Sequence, residues 1–164
     1  MSAVHPEVLR QIDELQQRYI QALDGKDMQR WLATFSEAPE SAYLCTTAES
    51  VQMNWPVALI MDDCRARLED RVTFVTRVWT GTYRDYQTRH FVQRMRCAPG
   101  AAGYYDVESN FMVAYSSPDR AAAEILATGV YRDRIQADSG GARFVSKTAV
   151  TDTNVLPQYI VYPL

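Results

Sequence analysis

The second half of this 164-residue sequence is divided into four segments that are typical of β-strands. Each segment is rich in β-branched and aromatic residues, and they span about 88–97, 104–116, 121–135 and 143–154. The connections between them are Ala-Pro-Gly-Ala-Ala-Gly, Ser-Ser-Pro-Asp and Ala-Asp-Ser-Gly-Gly, which are short and made of turn-forming residues. Strands joined in this way pair as antiparallel hairpins, so the sequence predicts a long antiparallel meander.

Polar and apolar side chains alternate within these segments, which is typical of a sheet with one buried face. On the second segment the buried face is predicted to hold Tyr105, Val107, Phe111, Val113 and Tyr115. Its other face would then hold Asp106, Glu108 and Asn110. On the third segment the buried face is predicted to hold Ala123, Ile125, Ala127 and Tyr131, opposite Glu124, Arg132 and Arg134.

Helices are predicted in the first half of the chain. Apolar residues at steps of three and four indicate a helix over Val8–Asp24, and Gly25 stands where a C-cap residue with positive φ is expected. Asp27 is predicted to cap a short second helix. A third helix is predicted to start near Asp62 and Asp63, and an earlier strand, about Ala42–Thr47, to pair at an edge of the sheet.

Helices followed by a long antiparallel meander indicate an α+β fold with the helices on one face of the sheet. A strongly curved sheet wrapped around helices forms a cone, as in ketosteroid isomerase-like (cystatin-like) domains, and we expect that architecture. The sequence contains no internal repeat, low-complexity stretch or linker, so residues 1–164 are predicted to form a single cone-shaped domain.

Charge and hydropathy argue against several kinds of partner. The formal net charge is −3, and Lys and Arg are scattered among Asp and Glu, whereas nucleic-acid binding normally requires a basic stripe. No apolar run is long enough to span a bilayer. The first residues, Met-Ser-Ala-Val-His-Pro, lack the features of a signal peptide, so we expect a cytoplasmic protein. The cysteines, Cys45, Cys64 and Cys97, are expected to be small buried apolar residues.

The sequence has only two histidines, His5 and His90, and this limits its metal chemistry. A Rieske cluster needs two Cys and two His in paired spacing, and a mononuclear non-haem iron needs two His and a carboxylate facing one pocket. The chain offers neither set. If the protein takes part in redox chemistry, another chain must hold the metals.

His90 has two interpretations. It is either a structural or interface histidine bonded to a neighbour, or the acid or base of a pocket in a free-standing dehydratase or isomerase. In the enzyme interpretation, Asp24 would orient His90, and Tyr19 or Tyr105 would polarise a carbonyl. An open apolar cavity around such a pair would favour an enzyme, and a cavity filled by aromatic side chains would favour a scaffold. A ligand-binding cone without catalysis is a third alternative.

Several strings, in their order along the chain, resemble the beta subunits of aromatic-ring-hydroxylating dioxygenases. The similarity extends from the first helix to the last residues. The matching strings are Asp62-Asp63 followed by Arg67-Leu68-Glu69-Asp70-Arg71, then Thr88-Arg89-His90-Phe91-Val92, Ser109-Asn110-Phe111-Met112-Val113-Ala114-Tyr115, Gly129-Val130-Tyr131-Arg132-Asp133, and Arg143-Phe144-Val145 leading to Asp152.

The resemblance implies a non-catalytic subunit without a cofactor of its own. Its partner would be an alpha subunit that carries a Rieske [2Fe-2S] cluster and a mononuclear iron, and this chain would form a trimer within a hetero-hexamer. The holoenzyme would add dioxygen to an aromatic ring or hydroxylate it. The ending Val161-Tyr162-Pro163-Leu164 resembles that of subunits acting on aromatic carboxylates.

The alpha subunit is expected to meet the outer sheet face and the C-terminal segment. The candidate contacts are Arg89, Arg132, Asp152, Tyr162 and Leu164. The apolar stretch at 159–164 must pack somewhere, either on its own domain or in a subunit contact.

Overall fold

Helix α1 (Pro6–Asp24) packs on the inner face of a six-stranded sheet in the computed structural model, which describes residues 4–164. Part of the stretch on which the expectation of no signal peptide rests, residues 1–3, lies outside the described residues. The helix begins at Pro6 because the His5 side chain accepts a hydrogen bond from the Glu7 amide, which would otherwise lack a partner. Its buried residues recur at helical spacing: Ile12, Leu15, Gln16, Tyr19, Ala22 and Leu23.

The end of α1 differs from the sequence prediction. Gly25 has a φ of −85°, and the positive φ of 56° belongs to Lys26. A Cβ on Gly25 would lie 3.0 Å from the carbonyl oxygen of Gln21. Close approach to the preceding turn therefore explains this glycine, and the prediction of a positive φ at Gly25 is wrong.

The remaining elements follow α1 in the order α2 (Met28–Leu32), β1 (Ala42–Thr47), α3 (Ala48–Gln52), β2 (Ile60–Asp62), α4 (Arg65–Thr73), β3 (Gln87–Pro99), β4 (Tyr104–Ser116), β5 (Glu124–Asp138) and β6 (Gly141–Thr151). Helix α4 continues into a π-helical turn at Phe74–Val78. Asp27 caps α2 as predicted, since its side chain accepts from the Arg30 amide. Helix α3 and strand β2 were not predicted.

The strand order is β2-β1-β6-β5-β4-β3, and β3 to β6 form the predicted antiparallel meander. Strand β1 pairs in parallel with β6 and antiparallel with β2, so Tyr43 stands opposite Lys147 on one side and Asp62 on the other. The prediction that β1 lies at an edge is therefore wrong, because β2 takes the edge. The α+β prediction, with the helices packed on one face of the sheet, is confirmed.

A β-bulge changes which residues of β5 face inward. Val113 pairs with Ala127 but Ala114 pairs with Ile125, so Leu126 is an extra residue. Leu126 and Ala127 are both buried, whereas Ile125 is 57% exposed. The prediction for Ile125 is wrong for this reason. On β4, Asp106, Glu108 and Asn110 are exposed as predicted.

Large aromatic side chains fill the interior between helices and sheet. Tyr19, Trp31, Phe35, Tyr43, Tyr131 and Phe144 are each at most 1% exposed. Their rings meet mainly edge to face, with centroids 5.1 Å apart for Trp31 and Phe35 and 5.5 Å apart for Tyr19 and Phe144. Cys45 is buried among them, while Cys64 and Cys97 are partly exposed, contrary to expectation.

Candidate functional site

Asp24, the last residue of α1, lies against the start of β3. Its Oδ1 is 2.6 Å from Nδ1 of His90, and the same oxygen accepts a hydrogen bond from Thr88 Oγ1 at 2.9 Å. Its Oδ2 accepts from the backbone amide of His90 at 3.1 Å. Because β3 is an edge strand, no neighbouring strand is available to bind this amide, and the Asp24 carboxylate accepts its hydrogen bond instead. Asp24 thus fastens the end of the helix to the edge of the sheet.

The Asp24–His90 pair has the geometry of an acid–base dyad, but only Asp24 is partly exposed to solvent, and the histidine ring is shielded. Burial acts to raise the pKa of Asp24, whereas hydrogen bonds and charge attraction from His90 lower it, and the pKa lies below its usual value. The His90 side chain is 1% exposed. Its Nε2 has no hydrogen-bond partner within residues 4–164. The hydroxyl of Tyr19 donates to the carbonyl oxygen of Leu164 at 2.6 Å instead of joining the pair.

Aromatic side chains also contact one another within the interior. Trp31 and Phe35 contact each other, and Phe111 stacks on Tyr131 with centroids 4.3 Å apart. Aromatic side chains thus occupy the interior, which is the arrangement expected of a scaffold.

A fully buried ion pair on the neighbouring strands β5 and β6 was not predicted. Lys147 and Asp133 stand opposite each other on β6 and β5, both 0% exposed, with Nζ 2.9 Å from Oδ2. Gln16 of α1 bonds both groups, accepting from Nζ at 3.1 Å and donating to Asp133 at 2.6 Å. Burial lowers the pKa of Lys147 to about 8 and raises that of Asp133. The sequence held one signal, since Asp133 falls on the inward side of β5 between Tyr131 and Ile135.

Lys147 also contacts aromatic rings. Its Nζ lies 3.7 Å from the ring centroid of Tyr131, 4.4 Å from that of Phe144 and 4.6 Å from that of Tyr19. These cation–π contacts and the pairing with Asp133 explain how an ammonium group can be accommodated in the core.

Two of the predicted interface residues, Arg89 and Arg132, are exposed on the outer sheet face, and Asp152 is exposed just after β6. The Arg132 Nε lies 4.0 Å from Glu108, and Asp152 accepts a hydrogen bond from Thr128 at 2.7 Å. A shallow depression of about 470 Å³ on this face is lined mainly by charged residues, among them Arg96, Asp106, Glu108, Arg132 and Arg134.

The other two predicted interface residues lie in the C-terminal segment. Tyr162 is half-buried, and its hydroxyl is 2.8 Å from that of Tyr83. Leu164 is 1% exposed and is packed inside its own domain. This burial leaves Leu164 no surface for a partner, so it drops out of the candidate interface. Within this stretch Val161 and Leu164 pack on their own domain, whereas Tyr159 is 65% exposed.

An exposed apolar surface between α3 and β2 was missed. It comprises six large side chains, each 41–59% exposed: Val51, Met53, Trp55, Val57, Leu59 and Met61. Single exposed apolar residues are normal, but six within one short segment are typical of a protein-binding surface. The signal was present in the sequence, because every second residue of this stretch is apolar. We refer to these six residues as the 51–61 surface.

Among residues 4–164, no group of three or more His, Cys, Asp or Glu side chains is placed to hold a metal ion. Within the same residues, no helix combines the length and the apolar character needed to cross a membrane.

Comparison with known proteins gives a consistent picture. The family described as ring hydroxylating beta subunit matches residues 18–158. The small subunit of anthranilate 1,2-dioxygenase from Burkholderia cepacia is 25% identical over 150 residues, which are 92% of this chain and 90% of the relative.

Two solved structures show the same fold. The beta subunit of benzoate 1,2-dioxygenase from Burkholderia mallei has a TM-score of 0.72 at 20% identity, covering 93% of each chain. A chain of naphthalene 1,2-dioxygenase with indole bound has a TM-score of 0.73 at 12% identity, covering 96% of this chain and 85% of that one.

Proposed function

The chain belongs to the family of ring hydroxylating beta subunits, and from this premise we propose that it assembles the enzyme while its partner carries out the chemistry. It is the small (beta) subunit of an aromatic-ring-hydroxylating dioxygenase, and its partner is an alpha subunit. The observation that carries the non-catalytic role is the aromatic packing of the interior, which occupies the space where a cone-fold enzyme would bind substrate.

We place the Rieske [2Fe-2S] cluster and the mononuclear iron in the alpha subunit. The support is chemical: both centres need paired histidines, and this chain has only His5 and the buried His90. We further propose a cytoplasmic enzyme acting on an aromatic carboxylate. Support for this substrate class comes from the small subunit of anthranilate 1,2-dioxygenase, a relative whose name specifies an aromatic carboxylate.

Two surfaces of different character support two kinds of contact. The outer sheet face, with Arg89, Arg132 and Asp152, is charged and fits a polar contact with the alpha subunit. The 51–61 surface is apolar, as permanent interfaces between copies of one chain usually are. We propose that it joins copies of this chain into a trimer within a hetero-hexamer, with Tyr162 at the margin of the alpha contact.

Co-expression with an alpha subunit, followed by sizing and iron analysis, tests whether the two chains assemble and which of them holds the iron. We expect a large hetero-oligomer whose iron belongs entirely to the alpha subunit after the two chains are separated. Iron retained by this chain, or a chain that stays alone beside a well-folded alpha subunit, would overturn the proposal.

Charge reversal tests the alpha contact. Arg132→Glu should weaken co-purification with the alpha subunit, most strongly at low salt, because an exposed interfacial charge acts through screened attraction. Arg84→Glu, which changes an exposed arginine in the loop before β3 that is paired with Asp119, is the matched control. Equal yields of complex from both variants would remove Arg132 from the interface.

A further inference from the structure

Two arginine side chains meet beside the turn between β5 and β6, and we call them the arginine pair. Arg18 extends from α1, and Arg143 lies near the start of β6. Nη2 of Arg18 and Nη1 of Arg143 each donate a hydrogen bond to the carbonyl oxygen of Ala142 at 3.0 Å. Because both nitrogens are bonded to one oxygen, they lie at most about 6 Å apart. The two positive charges are therefore close neighbours.

The arginine pair has no counter-charge of its own. Within residues 4–164, no acidic side chain forms an ion pair with Arg18 or Arg143, and the nearby Glu14 pairs with Arg10 instead. Burial and then the charge of Arg143 lower the pKa of the Arg18 guanidinium, which still remains charged at neutral pH. Like charges this close repel each other, and an anion bound between them would relieve the repulsion.

A recess of about 460 Å³ gives a ligand access to both arginines, which lie in its lining. Residues 140–143, at the β5–β6 turn, form one wall. A Cβ added at Gly141 would meet no atom within 4 Å, so there is open space beside this turn. The other wall is a polar face of α1, with residues at helical steps of three and four: Gln11, Glu14, Arg18 and Gln21.

The charge and the donors of this recess fit a phosphate group better than a carboxylate. A carboxylate is satisfied by the fork of one guanidinium. A phosphate group carries nearly a double negative charge at neutral pH and has more oxygens, so it can accept hydrogen bonds from two forks at once. The amides of Gln17 and Gln21, exposed in the same recess, can donate to its remaining oxygens.

We propose that the arginine pair is a binding site for a phosphate group, which either inorganic phosphate or a small phosphorylated metabolite would supply. Arg18 belongs to α1 and Arg143 to β6, so a bound phosphate group would also stabilise the contact between the helix and the end of the sheet. The site is built from this chain alone. Its occupancy can be measured without the alpha subunit, so failure of this proposal is distinguishable from failure of the proposed assembly.

A titration of the full-length, ¹⁵N-labelled chain with sodium phosphate at pH 7.5 and constant ionic strength provides the test. The arginine Nε resonances are followed by NMR. We expect those of Arg18 and Arg143 to shift together, with a dissociation constant of about 1 mM. Chloride at the same ionic strength should leave them nearly in place, because a single charge cannot bridge two guanidinium forks.

Three variants test the role of the arginine pair. Arg143→Gln should weaken phosphate binding at least about tenfold, because hydrogen bonds to a charged group are lost. Arg77→Gln, at an exposed arginine of the π-helical turn, is the matched control and should keep the wild-type affinity. Glu14→Gln should tighten binding about threefold, since it removes a negative charge from the recess. If Arg143→Gln does not fold, Arg18→Gln is titrated in its place.

Equal phosphate affinities of Arg143→Gln and Arg77→Gln would overturn the proposal, and so would chloride shifts as large as those caused by phosphate. The titration is repeated on the purified complex with the alpha subunit. Loss of the response there would show that an acidic group of the partner occupies the arginine pair, and would also overturn the proposal.

Glycerol 3-phosphate distinguishes the two sources of the phosphate group. Binding as tight as that of inorganic phosphate, or tighter, would support the proposal and assign the site to a phosphorylated metabolite. Weaker binding of the ester beside a clear response to inorganic phosphate would support the proposal and assign the site to the free ion.

Discussion

Lys147 and Asp133 show how a charged pair can occupy the centre of a hydrophobic core. Removing two charges from water costs several kcal/mol, and the pair recovers this only if its geometry is good and its remaining hydrogen-bonding groups are satisfied. Here Gln16 bonds both members and three aromatic rings surround the ammonium group. The two members therefore depend on each other, and loss of one is expected to be far worse than loss of both.

Lys147→Met should lower the free energy of unfolding by about 3–5 kcal/mol, because it leaves Asp133 buried without a counter-charge. Urea denaturation measures the change. Lys147→Met combined with Asp133→Leu should recover most of the loss. Asp63→Ala, which breaks the exposed pair with Arg67, should change stability by less than about 1 kcal/mol. A Lys147→Met protein as stable as the Asp63→Ala protein would contradict this account.

Asp24 is expected to make the stability depend on pH in the acid range. Its pKa in the folded chain lies below the ordinary value of 3.8, so its contribution is complete above that pH and is lost as the pH falls through the folded pKa. Asp24→Asn should therefore be less stable than the wild type by about 1–2 kcal/mol at pH 7. The difference should narrow below about pH 4. Denaturation curves of both proteins at pH 7, 5 and 3 measure this difference in stability. A difference that stays constant would contradict a lowered pKa of Asp24 in the folded chain.

At the scale of elements, local patterns in the sequence were sufficient for much of the fold. The periodicity of α1 and the alternation of β4 reflect burial on one face, which is a local property, so both were predicted closely. The contact between Asp24 and His90 was considered only within the enzyme interpretation, and the sequence did not indicate their environment. The place of β1 depends on pairing with β6 about a hundred residues later, which no local pattern reveals. Likewise, the bulge at Leu126 turns the Ile125 side chain to the outer face, and nothing in the composition of the segment indicates this bulge.

The close packing of β5 against β6 requires a glycine at position 129. A Cβ at this position would lie 2.0 Å from the carbonyl oxygen of Val150 and 2.9 Å from the ring of Phe111. Gly129→Ala should therefore force β5 and β6 apart and cost about 3 kcal/mol or more, within the range for severe overpacking. Gly100→Ala, where the nearest atom is at an ordinary 3.4 Å, is the control. Thermal unfolding of the two variants measures the difference. Similar midpoint temperatures would show that β5 and β6 can move apart without a loss of stability.

At the scale of the whole molecule, the 51–61 surface should decide whether copies of this chain associate. Trp55→Ser removes its largest side chain, which is half exposed, so the fold should be kept while self-association weakens by about 2 kcal/mol or roughly thirtyfold. Val155→Ser, at an isolated residue 81% exposed, is the control. Sedimentation velocity over a range of concentrations measures association. Unchanged association of the Trp55→Ser protein would assign this surface to another partner.

Two contacts join parts of the chain that are made far apart in time during synthesis. Strand β1 pairs in parallel with β6, and Tyr19 donates a hydrogen bond to Leu164, 145 positions later. These contacts determine when the protein can fold. The hairpins of β3 to β6 are built from neighbouring segments and can form as they leave the ribosome, whereas β1 must wait for its parallel partner β6. Until β6 has been made, β1 lacks its parallel neighbour in the sheet, and a chaperone would be needed at this stage of synthesis. Subunit assembly is therefore expected to begin only after translation of the whole sheet is finished.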